Sequence, residues 1–314
     1  MPSKIKTAGT LLARGRLSEF ALNVRLNLRR LRIAYHRGRP FVHHRLGFAF
    51  PCYPDIADSV DLYLHDSHDM LELSLVKAWL EPGDASIDVG ANLGFYGVAA
   101  AIAGRDKGVV LAIEPSPFLS ARLAQTKKLL ALESVRILEI GAGPDSGETE
   151  FYVAESRDTT AEQSSRVDPN RRDKYQKITV KIETLDRIVE LHLHEGTACL
   201  VKLDIEGSEV LALGGASTLL KSADPALWIV EINLPALKRF GAGPDELLQG
   251  FPPETFEHWL VPKYPKAPGQ STAPRLLGPG ERFDDATFYN LVALPKGGRW
   301  AHRTPRIRAL LENS

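Results

Sequence analysis

The segment Ser86-Ile-Asp-Val-Gly-Ala-Asn-Leu-Gly94 constrains the fold of this 314-residue chain more than any other. Ser86 to Val89 has the character of a short buried strand, and an alanine-rich helix is predicted from Phe95 to Ala103. A strand, a glycine-rich turn and a helix in that order open a βαβ unit, which stacks helices on a parallel sheet. Gly90 and Gly94 allow the backbone to turn sharply and to approach a ligand closely. Asp88 falls at the carboxyl end of the strand, where ligands bind in open α/β sheets. Its carboxylate can meet a cationic ammonium or sulfonium group. The spacing is G-x-x-x-G rather than G-x-G-x-x-G, and nothing in the loop suits a pyrophosphate.

The alternation continues downstream. Apolar runs at Gly108 to Ile113, Val135 to Ile140, Ile178 to Ile182, Leu200 to Leu203, Leu227 to Ile232 and Phe288 to Leu294 read as strands. Helices are predicted over 70–80, stopped by Pro82-Gly83, over 118–132 and over 209–220. The polar stretch from Ser156 to Gln176 reads as a mobile loop, with a lid that orders on binding as the alternative. The fold class is therefore α/β, Rossmann-like, with helices on both faces of a mostly parallel sheet. Its expected divisions are a basic helical extension over 1–50, a helical lead-in over 51–85, the main domain over 86–295 and a basic tail over 296–314.

Net charge is zero over the whole chain, yet Met1 to Leu46 holds eleven Lys or Arg against one acid, Glu19. Within it, Leu17, Phe20, Ala21, Val24, Leu28 and Leu31 share one helical face, with Arg25, Arg29, Arg30 and Arg32 between them. The simplest expectation is a helix docked by its apolar stripe with a solvated cationic face. The alternative is peripheral contact of residues 17–35 with an anionic membrane. No apolar run reaches the roughly 20 residues needed to cross a bilayer. Two cysteines, Cys52 and Cys199, make no disulfide framework, and a cytoplasmic setting is expected. The acidic balance after residue 46 argues against nucleic acid as a partner.

Three further groups carry chemistry. Glu114 closes the second strand of the unit, where an acid can accept hydrogen bonds from both hydroxyls of a ribose. Gly141-Ala142-Gly143 with Asp145 lies next along that edge, placed to cover an adenine ring. The fourth strand leaves the core as Lys202-Leu-Asp204-Ile-Glu206-Gly-Ser-Glu209. Four charges at a buried strand's end are costly unless they serve a site or pair together. An ion pair between Lys202 and Asp204 is one reading. The other is that Asp204 or Glu206 orients or deprotonates an acceptor hydroxyl. Clustered carboxylates also bind divalent cations, but no third ligand stands out in the sequence. Glu231 and Asn233, ending the next strand, are additional candidates.

These residues, in order and spacing, resemble the FkbM family of methyltransferases. The resemblance rests on Glu72, Pro82-Gly83-Asp84, Asp88 to Gly94, Glu114-Pro115-Ser116, Thr184-Leu185-Asp186, Lys202 to Glu209 and Glu231-Ile232. It covers roughly 70–295. What it implies is a seven-stranded sheet, parallel except for one strand near the C-terminus, and S-adenosylmethionine as methyl donor. The implied activity is O-methylation of sugars, glycans or natural products. By this resemblance Asp88, Gly90, Asn92, Gly94 and Glu114 contact the donor, with Glu72, Pro115, Ser116, Ala142 and Asp145 beside them. Lys202, Asp204 and Glu206 then face the acceptor. Two competing readings are an NAD(P)-dependent Rossmann dehydrogenase and a non-catalytic scaffold docking on a membrane.

Overall fold

The computed structural model describes residues 17–65, 70–154, 175–193, 197–263, 273–278, 283 and 288–314. The chain enters through helix α1 (Leu17–His36), a hairpin of β1 (Phe41–Arg45) and β2 (Phe48–Cys52), and helices α2 (Ala57–Leu64) and α3 (Met70–Trp79). Alternation then begins with β3 (Ala85–Val89), α4 (Phe95–Ala103), β4 (Val109–Ile113), α5 (Pro117–Leu130) and β5 (Val135–Leu138). Strands β6 (Gly141–Ala142), β7 (Gly147–Ala154) and β8 (Tyr175–Glu183) form a separate small sheet. After them come α6 (Leu185–His192), β9 (Leu200–Leu203), α7 (Glu209–Gly214), α8 (Ser217–Leu220) and β10 (Leu227–Ile232). The last elements are α9 (Leu234–Arg239), α10 (Pro244–Gln249), β11 (Phe256–Lys263), β12 (Arg275–Leu276), β13 (Phe288–Pro295) and α11 (Thr304–Glu312).

The main sheet has the order β12-β11-β13-β10-β9-β3-β4-β5. Strands β5, β4, β3, β9 and β10 pair in parallel, and β13 lies antiparallel between β10 and β11. The expected count of seven strands with one reversed near the C-terminus is met, but the strand expected over 178–182 lies in the small sheet as part of β8, β11 takes its place in the main sheet, and the two-residue β12 adds an eighth at the edge. One row across the sheet reads Ile137, Ala112, Asp88, Lys202, Ile229, Val292, Trp259. Its apolar members join the core beneath α3, α4 and α11. The next row, Ile113, Val89, Leu203, Val230, Leu291 and Leu260, belongs to the core on the opposite face. Apolar side chains on both faces are what a covered parallel sheet requires. Asp88 and Lys202 are thus two charges set side by side in an otherwise apolar row.

Some expectations are revised. The strand over 135–140 ends at Leu138, because Gly141 and Ala142 leave the main sheet to pair with Ile182 and Glu183. The helix over 209–220 breaks at Gly214-Gly215, where a side-chain carbon on Gly215 would lie 2.2 Å from the Gly143 carbonyl oxygen. Most of the polar segment 156–176 falls outside the described residues, and Tyr175 and Gln176 begin β8. The C-terminal residues form α11 with Ile307 and Leu311 buried, and nearby Arg303 pairs with Asp84 at 2.5 Å.

Helix α1 is turned the other way from the docked-stripe expectation. Apart from Ile33, which packs on Phe41, Cys52 and Tyr63, its inward contacts are made by arginines and a histidine: the Arg29 guanidinium donates to the Leu64 carbonyl at 2.9 Å, and that of Arg32 to Val42 at 2.9 Å. Arg32 also lies over the Phe41 ring, and His36 stacks on that ring at 4.3 Å. Val24, Leu28, Leu31 and Tyr35 are left exposed. The neighbouring hairpin and α2 offer carbonyls and aromatic faces, which suit guanidinium groups better than leucine.

Candidate active site

The carboxyl ends of β3, β4, β9 and β10 bring the charged residues together. The turn after β3 is held open by left-handed backbone at Gly90 (φ +81°), Asn92 (φ +51°) and Gly94 (φ +88°). The backbone N–H groups of Gly90 and Ala91 both donate to the Ile113 carbonyl at 2.9 Å, tying the turn to β4. Glu114 is 4% exposed and accepts from Asn92 N–H at 2.9 Å and Ser116 N–H at 2.8 Å, one bond on each oxygen. A carboxylate has about four lone-pair sites, so each oxygen keeps acceptor capacity. Ser116 also caps α5, its hydroxyl accepting from Leu119 N–H, and Pro115 leads into that turn.

Asp88 accepts from Gly97 N–H at 2.7 Å in the first turns of α4. Burial pushes its carboxyl up to about 7, opposed by that hydrogen bond and by the charge of Lys202. Glu114 is likewise raised to about 7 by burial, opposed by its two backbone donors. The two acids stand on adjacent strands, and the charge of Asp88 adds to the rise at Glu114.

A second cluster lies one strand over. Lys202 is fully buried, with its ammonium 3.1 Å from Asp204 Oδ2 and 5.0 Å from the Tyr96 ring centre. The pairing of Lys202 with Asp204 read from the sequence is therefore present. Asp204, Glu206 and Glu231 each place a carboxylate oxygen within 4.8 Å of the others. Glu231 in turn pairs with Lys263 at 3.2 Å. Burial works against the Asp204 anion, but Lys202 and Lys263 hold its carboxyl well below the usual carboxylate range. Burial and the Asp204 charge push Glu231 the other way, upward. Glu231 supplies the third carboxylate that a cation site needs, yet two lysines already share the cluster's negative charge.

The FkbM methyltransferase domain matches residues 88–261, from the acid of the glycine turn to the middle of β11. The chain belongs to the FkbM methyltransferase family. It is an S-adenosylmethionine-dependent methyltransferase, and the dehydrogenase reading gives way. Among solved structures, the FkbM methyltransferase of Methylobacillus flagellatus is 16% identical, with a TM-score of 0.38 over 74% of this chain. This chain covers 52% of that protein, about half its length. An rRNA methylase of Streptococcus thermophilus is 10% identical, covering 71% of this chain and 95% of its own, with a TM-score of 0.40. An S-adenosylmethionine-dependent O-methyltransferase of Thermotoga maritima is 12% identical over 72% of this chain and 64% of its own, at a TM-score of 0.36. No curated protein matches by sequence.

The residues of this FkbM chain fit the donor's chemistry. Asn92 Oδ1 is buried in the glycine turn without a hydrogen-bond partner among the described residues. It is an acceptor awaiting a donor such as an amine or a hydroxyl. Glu114 keeps acceptor capacity beside it, and Asp88 stands on the adjacent strand.

Ala142 is buried in the core at the junction with β8, and Asp145 is exposed in the turn after it. Asn233 caps α9 by accepting from Ala236 N–H, and Asp186 accepts from Thr218 and Leu219 N–H. Glu72 is buried on α3, where its Oε1 accepts from Asn290 Nδ2 at 2.6 Å. Lys263 and Tyr96 join the cluster, and Asn290 holds Glu72, without any of the three having been singled out in the sequence. Asn290 carried a signal, since it is the one amide in the apolar run Phe288 to Leu294. Lys263, at a strand end with no motif around it, carried none.

Proposed function

We propose that this methyltransferase transfers a methyl group to a hydroxyl oxygen of a sugar, glycan or natural product. When bound, S-adenosylmethionine supplies a methyl already activated on a sulfonium. Asp88 and Asn92 would hold the methionine portion, Glu114 the ribose hydroxyls, and Gly90 and Gly94 the close backbone approach. Pro115 and Ser116 would border the nucleoside, with Ala142 and Asp145 further along the adenine edge.

The observation that carries the acceptor assignment is the cluster at the tips of β9 and β10. Asp204 is a partly exposed carboxylate kept ionised by Lys202 and Lys263, next to Glu206 and Glu231. Such a group accepts the hydrogen bond of an incoming hydroxyl and aims an oxygen lone pair. With the donor bound, the methyl would pass from sulfur to the acceptor oxygen, which would become strongly acidic. Even a weakly basic carboxylate can take its proton, so Asp204 need not have a raised proton affinity. The products are a methyl ether and S-adenosylhomocysteine. A cytoplasmic setting suits the two free, buried thiols, Cys52 and Cys199.

A panel of sugars and glycosylated natural products, incubated with methyl-labelled S-adenosylmethionine, tests this reading. Label is expected as a methyl ether on a hydroxyl-bearing acceptor, lost on Asp204→Ala. Label found only on nitrogen or carbon, or only on RNA, would overturn the acceptor class.

A further inference from the structure

Helix α1 presents an apolar stripe to the outside. Val24, Leu28, Leu31 and Tyr35 follow one another at spacings of three and four, and they are 39%, 61%, 59% and 81% exposed. These residues share one side of the helix, while Arg29, Ile33 and His36 occupy the opposite side. That opposite side is already committed to the body. Arg29 reaches the Leu64 carbonyl, Ile33 packs on the small core of Phe41, Cys52 and Tyr63, and His36 stacks on Phe41. The helix therefore cannot roll its leucines inward without breaking those contacts. A 20-residue helix so anchored holds a stripe of apolar side chains, rimmed by arginines, away from the catalytic domain.

The charge of the segment selects what covers the stripe. From Met1 to Leu46 there are eleven Lys or Arg and a single acid, Glu19. Arg25 and Arg30, together with Arg37 and Arg39 just past the helix, are exposed. A second copy docked stripe to stripe would bring two such cationic segments together with almost no acid to offset them. A nucleic acid would meet the cations but leave the leucines and Tyr35 in water. An anionic lipid surface satisfies both: headgroups neutralise the arginines and the acyl boundary takes the apolar face. The helix would lie flat, and no helix among the described residues is long and apolar enough to cross a bilayer.

We infer that α1 is an interfacial membrane helix, inserting Val24, Leu28, Leu31 and Tyr35 into an anionic lipid surface and holding the methyltransferase beside it. This inference is independent of the acceptor assignment. The test uses the full chain, sedimented with vesicles of phosphatidylcholine alone or mixed with phosphatidylglycerol. Two variants accompany it: Leu28→Ser with Leu31→Ser, and Tyr35→Trp. Both substitute exposed positions, and binding of S-adenosylhomocysteine verifies that the fold is intact. The expected result is binding to the mixed vesicles, weakened about tenfold or more by the double serine variant. Tryptophan emission at position 35 is expected to shift to the blue on mixing. Equal vesicle binding by the serine variant, or unchanged emission, would overturn the proposal. So would a dimer in solution that the serine variant splits, since a second copy would then be the occupant.

Discussion

A side-chain carbon placed on Gly90 would lie 1.8 Å from the carbonyl oxygen of Asp204. The turn that follows β3 and the segment that follows β9 thus touch backbone to backbone. Whatever moves the glycine turn moves Asp204. Gly90→Ala must displace one of the two, and it also forces a left-handed φ on a residue with a side chain. The variant is expected to lose about 1–3 kcal/mol of stability in urea unfolding. Its affinity for S-adenosylhomocysteine is expected to fall at least about tenfold by calorimetry.

Asp204→Ala separates binding from chemistry. The carboxylate lies beyond the glycine turn's own contacts, so affinity for S-adenosylhomocysteine should stay within a few-fold of the parent. Turnover is expected to fall by about 10²–10⁴, the range for removing a positioned proton acceptor. Single-turnover kinetics with an identified acceptor would show the loss in the methyl-transfer step rather than in donor affinity.

Glu209 gives a stability test with a defined sign. Its Oε1 accepts from Ile205 and Gly207 N–H, its Oε2 has no partner among the described residues, and burial raises its carboxyl from 4.5 to about 7. The folded chain therefore keeps this proton where the unfolded chain has lost it. The associated stability is full below about pH 4.5 and lost as pH rises through about 7. Glu209→Gln keeps an acceptor for both N–H groups and cannot ionise. The difference in Tm, variant minus parent, is expected to grow from pH 5 to pH 8, corresponding to about 3 kcal/mol at most. Thermal unfolding at a series of pH values checks it.

Glu72 and Asn290 join α3 to β13 through one buried hydrogen bond. Glu72→Leu strands the Asn290 amide in an apolar setting and is expected to cost about 1–3 kcal/mol. Combining it with Asn290→Leu should recover part of that loss, because both polar partners are then gone. Denaturant unfolding of the two single variants and the double variant gives the coupling directly.

Much of this architecture is legible in the sequence because the sheet is buried on both faces. Its strands read as unbroken apolar runs, and Asp88, Glu114 and Lys202 stand out where those runs end or are interrupted. The β1–β2 hairpin, β7, β11 and α11 were not legible. Phe41 to Cys52 mixes histidine, arginine and proline with its aromatics, and its burial comes from contacts with distant helices. Residues 304–312 look like a basic tail until Arg303, Arg306 and Arg308 find Asp84, Glu81 and Glu257. The orientation of α1 was hidden for a related reason. Periodicity identifies an apolar stripe but not which side of the helix the neighbouring segment will hold. The partners of Asp204 were only half visible: Lys202 is two residues away, whereas Lys263 reaches the cluster through strand order alone.

Calorimetric titration of S-adenosylhomocysteine into the parent chain and Asp88→Ala tests the central claim most directly, with thermal unfolding to verify that the variant is folded. The parent should bind one equivalent and the folded variant none, since the alanine removes the acid at the head of the glycine turn. Parent-like binding by Asp88→Ala would contradict the account, placing the methyl donor somewhere other than the turn between β3 and α4.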